Sequence, residues 1–173
     1  IKSEQARIKI AMFCTEEHCV SIVTEIKNFE IQDEQARTRI AMACAEKLGG
    51  KTAEYIQDFE IKSEQVRIKI ALACAKNGSS AVAAYIQNFE ITDEQARVEI
   101  AMVCARNETW AVAEHIKNFK IESELARIKI AMVCAEESGA VTAENIQDFE
   151  ITDKQALSDI IKTCKYGIEA FSG

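Results

Sequence analysis

The sequence predicts an all-α protein built from stacked two-helix repeats, and three observations support this prediction. One pattern of residues returns every 30 residues without a gap, and a fixed period of this size is typical of repeat arrays. Apolar residues within each copy recur at helical spacing. The chain contains no proline that would interrupt a helix. The six copies begin at Ile1, Ile31, Ile61, Ile91, Ile121 and Ile151.

The first helix of each copy is predicted to start at position 3, counting from the opening isoleucine. Position 3 is always Ser or Asp, and the next residue is Glu in five of the six copies. A Ser or Asp N-cap before an acidic first turn is a typical helix start, and nothing breaks the helix before about position 16. Apolar residues occupy positions 6, 10, 13 and 14 on one side and 8, 12 and 15 on the other. A helix that is apolar on two sides lies between two neighbours.

A short variable stretch follows the first helix, and a second helix is predicted after it. The variable stretch contains Gly, Asn and Ser in several copies, which predicts a tight turn. Positions 21 to 29 then place apolar residues at 22, 23, 26 and 29, on one face of a shorter helix. Each repeat is therefore predicted to be a helical hairpin.

The repeats are predicted to form a single elongated domain over residues 1–173. In the sixth repeat, the stripe at positions 8, 12 and 15 becomes Ser158, Lys162 and Lys165. Loss of the apolar side predicts a C-terminal capping repeat, because the outer face of a terminal repeat is polar. The predicted repeats are 1–30, 31–60, 61–90, 91–120 and 121–150, with the capping repeat at 151–173.

The first repeat lacks this adaptation. Ala6, Ile10 and Phe13 keep the apolar stripe at a position where no earlier repeat precedes them. We therefore expect either further repeats or a capping element before Ile1, or self-association that buries this end of the array.

Composition and charge exclude several classes of function. The net charge is −7, and no basic stripe recurs with the repeat, which disfavours binding to a phosphate backbone. No apolar run is long enough to span a membrane, and no signal-peptide pattern is present. Six of the seven cysteines share position 14, as small core residues would, and Cys19 alone is off register. This arrangement predicts reduced thiols and a cytoplasmic location.

A recurrent arginine at position 7 lies beside the buried stripe, where a charge needs a partner. We predict a structural ladder in which these arginines pair with Asp at position 3 or with Asp or Asn at position 28. The arginines are Arg7, Arg37, Arg67, Arg97 and Arg127, and the aspartates are Asp33, Asp93, Asp58 and Asp148.

The repeated frame resembles a known family. Asp-Glu-x-Ala/Val-Arg-x-x-Ile-Ala-x-x-Cys-Ala, followed by a turn and Ala-Val-x-x-x-Ile-x-x-Phe, is similar to the short form of the HEAT-like repeat. The third repeat, with Arg67 and Ala71 in the first helix and Val82 and Ile86 in the second, is closest. The repeats depart from the family in having Cys where Leu is usual and in lacking Asp-Pro at the turn. The resemblance implies a right-handed α-solenoid whose second helices line the concave surface, and a role in protein binding.

If the second helices line that surface, their outward positions 24, 25, 27 and 28 face a partner. Position 25 changes its chemistry from repeat to repeat, and a tryptophan lies nearby. Aromatic residues are enriched at binding hot spots, although half-buried aromatics also pack on neighbouring helices. The acidic fifth repeat favours a basic partner. The predicted partner-binding residues are Glu25, Tyr55, Tyr85, Trp110, His115 and Asn145.

No residue pattern indicates catalysis, a metal or a cofactor, and we expect none. Cys14, His18 and Cys19 are close in sequence but lack a fourth ligand for zinc, and no nucleophile–base set or phosphate-binding loop is present. The leading hypothesis is a non-enzymatic protein-binding scaffold. The alternatives are a structural spacer or oligomerisation module, and nucleic-acid binding through Gly49-Gly50-Lys51, which the net charge disfavours.

Overall fold

The computed structural model describes residues 3–17 and 19–170, and the side chains of residues 3–16 and 19–165. This part of the chain is all-α, with no strand. It forms two compact units, Ile1–Thr92 and Asp93–Gly173. The units are treated separately below, and the assignment of residues 1–173 to one domain stays a prediction.

In the first unit, each repeat contains a long helix, a short helix and a 3₁₀ turn. The helices are α1 (Glu4–Glu17), α2 (Cys19–Glu25), α3 (Glu34–Lys47), α4 (Gly49–Tyr55), α5 (Glu64–Asn77) and α6 (Ser79–Tyr85). The 3₁₀ turns are Ile26–Phe29, Ile56–Phe59 and Ile86–Phe89.

The second unit repeats this order. Its helices are α7 (Glu94–Asn107), α8 (Thr109–His115), α9 (Glu124–Glu137), α10 (Gly139–Glu144) and α11 (Lys154–Ala170). Its 3₁₀ turns are Ile116–Phe119 and Ile146–Phe149. The sixth repeat differs because α11 runs on as one continuous helix. On α11, Ile160 and Cys164 are buried, while Lys162 and Lys165 are exposed.

The predicted helix starts are confirmed. Asp33 Oδ1 accepts hydrogen bonds from the backbone N–H groups of Gln35 and Ala36, at 2.9 and 3.3 Å. Asp93 caps α7 in the same way. These caps satisfy N–H groups that the first turn of a helix leaves without a partner. Asp33 and Asp93 therefore serve as N-caps.

The second helix begins earlier than predicted. It starts at position 19, so one residue separates it from the first helix in each described turn. That residue is Leu48 in the second repeat, and its N–H still bonds the carbonyl of Cys44 at 2.7 Å. The variable stretch is therefore almost entirely helical. The apolar positions 22, 23, 26 and 29 are nevertheless buried, as predicted, in the second, third and fourth repeats.

Neighbouring helices pack in sequence order within each unit. In the first unit, α3 packs on α1 and α5, and α4 packs on α2 and α6; in the second, α9 packs on α7 and α11. The residue at position 14 packs closely against position 19 of the preceding repeat. A Cβ atom on Gly49 would lie 2.4 Å from the carbonyl oxygen of Cys74, and one on Gly139 would lie 2.3 Å from that of Cys164. Glycine at position 19 therefore permits backbone contact between these repeats.

The arginine ladder exists, but its acceptors differ from the prediction. Arg37 is 8% exposed, and its guanidinium donates to four backbone carbonyls. Nε bonds Phe59 O at 2.8 Å, and Nη2 bonds Glu60 O at 3.2 Å. Nη1 bonds Ile31 O at 2.6 Å and Gln32 O at 2.8 Å. The guanidinium thus ties the start of a repeat to its end.

The same carbonyls, at positions 1, 2, 29 and 30, are bonded in two further repeats by Arg67 and Arg127. Asp and Asn side chains are not among these acceptors, so the prediction of Arg–Asp and Arg–Asn pairs is wrong for Arg37, Arg67 and Arg127. The reason is that a helix end leaves carbonyls without partners, and the guanidinium fork satisfies several of them at once.

The residue at position 30 explains why this end needs support. It adopts a left-handed backbone with φ between 47 and 51° in all five repeats, a conformation that costs roughly 1–2 kcal/mol for a residue with a side chain. The arginine of the same repeat donates to its carbonyl, which stabilises the turn into the next repeat. The residues are Glu30, Glu60, Glu90, Lys120 and Glu150.

A second ladder, of glutamates at position 4, links each repeat to the next and was not predicted. Glu124 Oε1 accepts from the Thr152 hydroxyl and from the backbone N–H groups of Thr152 and Asp153. The carboxylate therefore binds the two residues that precede the following helix, close to its N-terminus, where negative charge is favourable. Equivalent contacts are made by Glu4, Glu34, Glu64 and Glu94.

The arginine ladder predicts that Arg37→Lys destabilises the first unit. A lysine retains the charge, but its single ammonium group cannot donate to all four carbonyls that the guanidinium bonds. We expect the free energy of unfolding to fall by about 2 kcal/mol, measured by urea denaturation. Arg39→Lys, at an exposed position two residues away, is the matched control and should change stability little. Equal effects of the two substitutions would contradict the structural role of Arg37.

The glutamate ladder predicts a loss of stability in acid. Backbone N–H groups of Asp153 and Thr152 lower the pKa of Glu124 below its ordinary value of 4.5. The stabilisation is therefore complete above that ordinary value and is lost as the pH falls through the lowered folded value. We expect Glu124→Ala to lower the melting temperature at pH 7 but to match the parent in strong acid. Glu122→Ala, at an exposed position, should follow the parent throughout, and a pH-independent deficit for Glu124→Ala would contradict this.

Candidate partner-binding site

Position 25 lies at the end of the second helix, just before the 3₁₀ turn. In the first unit, Glu25, Tyr55 and Tyr85 end the successive helices α2, α4 and α6. Because α4 packs against both α2 and α6, these three side chains follow one another across one set of packed helices. Glu25 and Tyr85 are exposed, and Tyr55 is half-buried.

Tyr55 belongs to a small charged and aromatic cluster on α4. Lys51 Nζ lies 5.7 Å from the centroid of the Tyr55 ring and 2.8 Å from Glu54 Oε2. The hydrogen bond and charge of Glu54 raise the pKa of Lys51, with smaller contributions from Tyr55 and Tyr85. This position therefore already binds a cation, namely the ammonium group of Lys51.

Tyr85 is the more open of the two tyrosines. It is 40% exposed, and Ala81 and Ala84 take the places that Lys51 and Glu54 hold one repeat earlier. Its own helix thus offers no ammonium group to its ring. Of the two tyrosines at position 25, Tyr85 is therefore the one that an external group reaches more readily.

In the second unit, the predicted residues occupy α8 and the end of α10. Trp110 is 50% exposed, whereas His115 and Asn145 are half-buried. Trp110 and His115 are five residues apart, so they point in directions that differ by roughly 140°. Asn145 Nδ2 donates to Val141 O at 2.9 Å. The predicted strip joining the tyrosines to Trp110 and His115 stays a prediction, since it spans both units.

Positions 27 and 28 mainly connect neighbouring repeats. Lys27 Nζ lies 2.6 Å from Asp58 Oδ1 in the first unit, and Lys117 Nζ lies 2.6 Å from Asp148 Oδ1 in the second. The hydrogen bond that each lysine donates to its aspartate raises the pKa of that lysine. Asp58 and Asp148, predicted to pair with arginines, thus pair with lysines of the preceding repeat.

Two shallow cavities lie beside the 3₁₀ turns of the first unit, and neither Tyr55 nor Tyr85 lines them. Their volumes are about 280 and 230 Å³, and their linings include Arg37 and Arg67 respectively. Both guanidinium groups are occupied by backbone carbonyls. The guanidinium groups that line these cavities are therefore already hydrogen-bonded. The cavities do not coincide with the predicted site.

The acidic fifth repeat is only partly available to a partner. Glu124 accepts hydrogen bonds from the residues just before α11, and Asp148 pairs with Lys117. The remaining acidic side chains of the repeat are exposed: Glu122, Glu136, Glu137, Glu144 and Glu150.

The described residues contain no group of three or more His, Cys, Asp or Glu side chains that would hold a metal ion. His18, which was considered with Cys14 and Cys19, lies outside them. Within residues 3–17 and 19–170, no helix is long and apolar enough to cross a membrane.

One apolar surface lies apart from the second helices, on α1. Ile10 is 39% exposed and Phe13 is 66% exposed. The equivalent Ile40 is fully buried, because α1 packs against α3. We call Ile10 and Phe13 the α1 patch.

No protein-family model matches this chain, and no match was found among curated proteins or solved structures.

Proposed function

We propose that this chain is a non-enzymatic scaffold that binds a protein partner through its second helices. The proposal rests on a difference between the recurrent and the variable residues of the repeat. The recurrent Arg and Glu side chains are engaged in contacts with backbone groups, whereas the varied residue at position 25 ends a helix at the surface. A constant frame with a variable surface is how repeat proteins achieve specificity.

The proposal includes a right-handed α-solenoid of HEAT-like repeats whose second helices line the concave surface. It is supported by the repeated long-helix, short-helix order and by packing between sequence neighbours within each unit. It also places the protein in the reducing cytoplasm. The support for this location is that all seven cysteines are thiols.

The chemistry of the surface favours a partner with basic side chains. Tyr55 already accepts the ammonium group of Lys51 over its ring, and the more open Tyr85 offers a similar aromatic face without a lysine one turn earlier. Arginine and lysine bind such faces at about 0.5–1 kcal/mol each at exposed sites. The exposed carboxylates of the fifth repeat would add long-range attraction, which salt screens.

We expect Tyr85→Ala and Trp110→Ala each to weaken partner binding about tenfold or more, because exposed aromatic residues dominate interface energetics. The partner is first isolated from lysate with the parent chain, and its affinity for each variant is then measured by calorimetry. Leu125→Ala is the matched control, since Leu125 is 62% exposed but lies on a long helix. Equal affinity for all four proteins would contradict the proposal.

A second candidate function is self-association, and the α1 patch favours it. Phe13 exposes a large apolar side chain, whereas the smaller residues at this position in the second and third repeats, Ala43 and Ala73, are half-buried. Burying such a side chain contributes about 1.5–3 kcal/mol. A structural or oligomerisation role would use this surface instead of the second helices.

If the α1 patch mediates self-association, Phe13→Ala should shift the chain from dimer towards monomer in sedimentation equilibrium. Alanine occupies the same position in the second and third repeats, as Ala43 and Ala73, so the fold should tolerate it. Leu125→Ala again removes an exposed apolar side chain without touching the patch. A parent chain that is monomeric at all concentrations would exclude this second function.

A further inference from the structure

Cys19 is the one cysteine that does not occupy position 14. It begins α2 and is 8% exposed. The equivalent positions hold the small residues Gly49, Ser79, Thr109 and Gly139, all of them buried. Position 19 is therefore a place of close packing, and only the first repeat puts a thiol there.

Position 19 meets position 14 of the following repeat. The close approach of Gly49 to Cys74, and of Gly139 to Cys164, establishes this contact within each unit. In the first and second repeats these two positions are Cys19 and the fully buried Cys44. The Cys19 thiol is a direct neighbour of the Cys44 thiol, at the place where α2 packs on α3.

We propose that Cys19 and Cys44 are a modification site: they form a reversible disulfide that links α2 to α3 when the chain meets a low-molecular-weight disulfide such as oxidised glutathione. The contact between positions 19 and 14 offers two thiols at this place. In the equivalent contacts Cys74 faces Gly49, and Cys164 faces Gly139, and glycine has no sulfur to offer.

The reaction balances as two thiol–disulfide exchanges. The Cys19 thiolate attacks one sulfur of the oxidant, which forms a mixed disulfide and releases one thiolate. The released thiolate takes up the proton of Cys44, whose own thiolate then attacks the Cys19 sulfur and expels the second thiolate. Two protein thiols are oxidised, the oxidant is reduced to two thiols, and a reducing thiol reverses the sequence.

The order of attack follows from exposure. Cys19 retains slight contact with solvent, whereas Cys44 has none, and burial raises the pKa of the Cys44 thiol. A buried thiol of raised pKa is a slow first nucleophile. It is, however, well placed to attack the Cys19 sulfur, because the two side chains are direct neighbours.

The test exposes the folded full chain to oxidised glutathione and then caps the remaining thiols. We expect intact-mass spectrometry to show the loss of two hydrogen atoms, and fragmentation of digested peptides to join Cys19 to Cys44. The oxidised chain should also melt several degrees above the reduced chain, since the bond restricts the unfolded state.

Two variants make the test decisive. Cys19→Ser should fold, because Ser79 fills the equivalent position, and it should lose both the bond and the shift in melting temperature. Cys14→Ala removes a nearby cysteine and should retain both. A bond between Cys44 and Cys74, a bond that survives in Cys19→Ser, or no bond in the folded parent would each overturn the proposal.

Discussion

The structure depends on hydrogen bonds between recurrent charged side chains and the backbone groups at helix ends. Every helix leaves N–H groups at its start and carbonyls at its end without partners, and an array of short hairpins multiplies these ends. Arg37 satisfies four carbonyls within its repeat, while Glu124 satisfies N–H groups of the next repeat. Because the partners are backbone atoms, the contact survives almost any change of the surrounding side chains.

This dependence on backbone groups also decides how much of the fold the sequence could reveal. The N-caps and apolar stripes were predictable because they require particular side chains, as Asp33 and Ile40 illustrate. The acceptors of Arg37 were not, because every residue has a carbonyl and no residue type marks the ones that are used. Complementary charge favoured Asp58 as a partner of arginine, but Asp58 pairs with Lys27. The early start of α4 was missed because one non-helical residue, Leu48, makes the whole turn.

The candidate site was predictable to a similar extent. Variation at position 25 pointed to Tyr55 and Tyr85, and the structure places both at the surface, Tyr55 half-buried and Tyr85 exposed. The sequence did not show that Lys51 covers the Tyr55 ring, since that depends on the register of α4. Nor did it show that Trp110 and His115 point in different directions, which follows from their spacing once α8 is known to contain both.

Residues that deviate from the repeat indicate function in this chain, because its fold is held by contacts to the backbone. Neither position 25 nor Trp110 takes part in the ladders, so Tyr85 and Trp110 can vary without loss of the fold. A change at position 19 is different, because that position is buried against the next repeat and holds a small residue in the first five repeats. A cysteine there is compatible with packing and also changes the chemistry, because its neighbour at position 14 is itself a cysteine. Six cysteines recur at position 14, so their periodicity marks them as packing residues. Cys19 is the seventh and breaks this periodicity, and we therefore assign the redox chemistry to it.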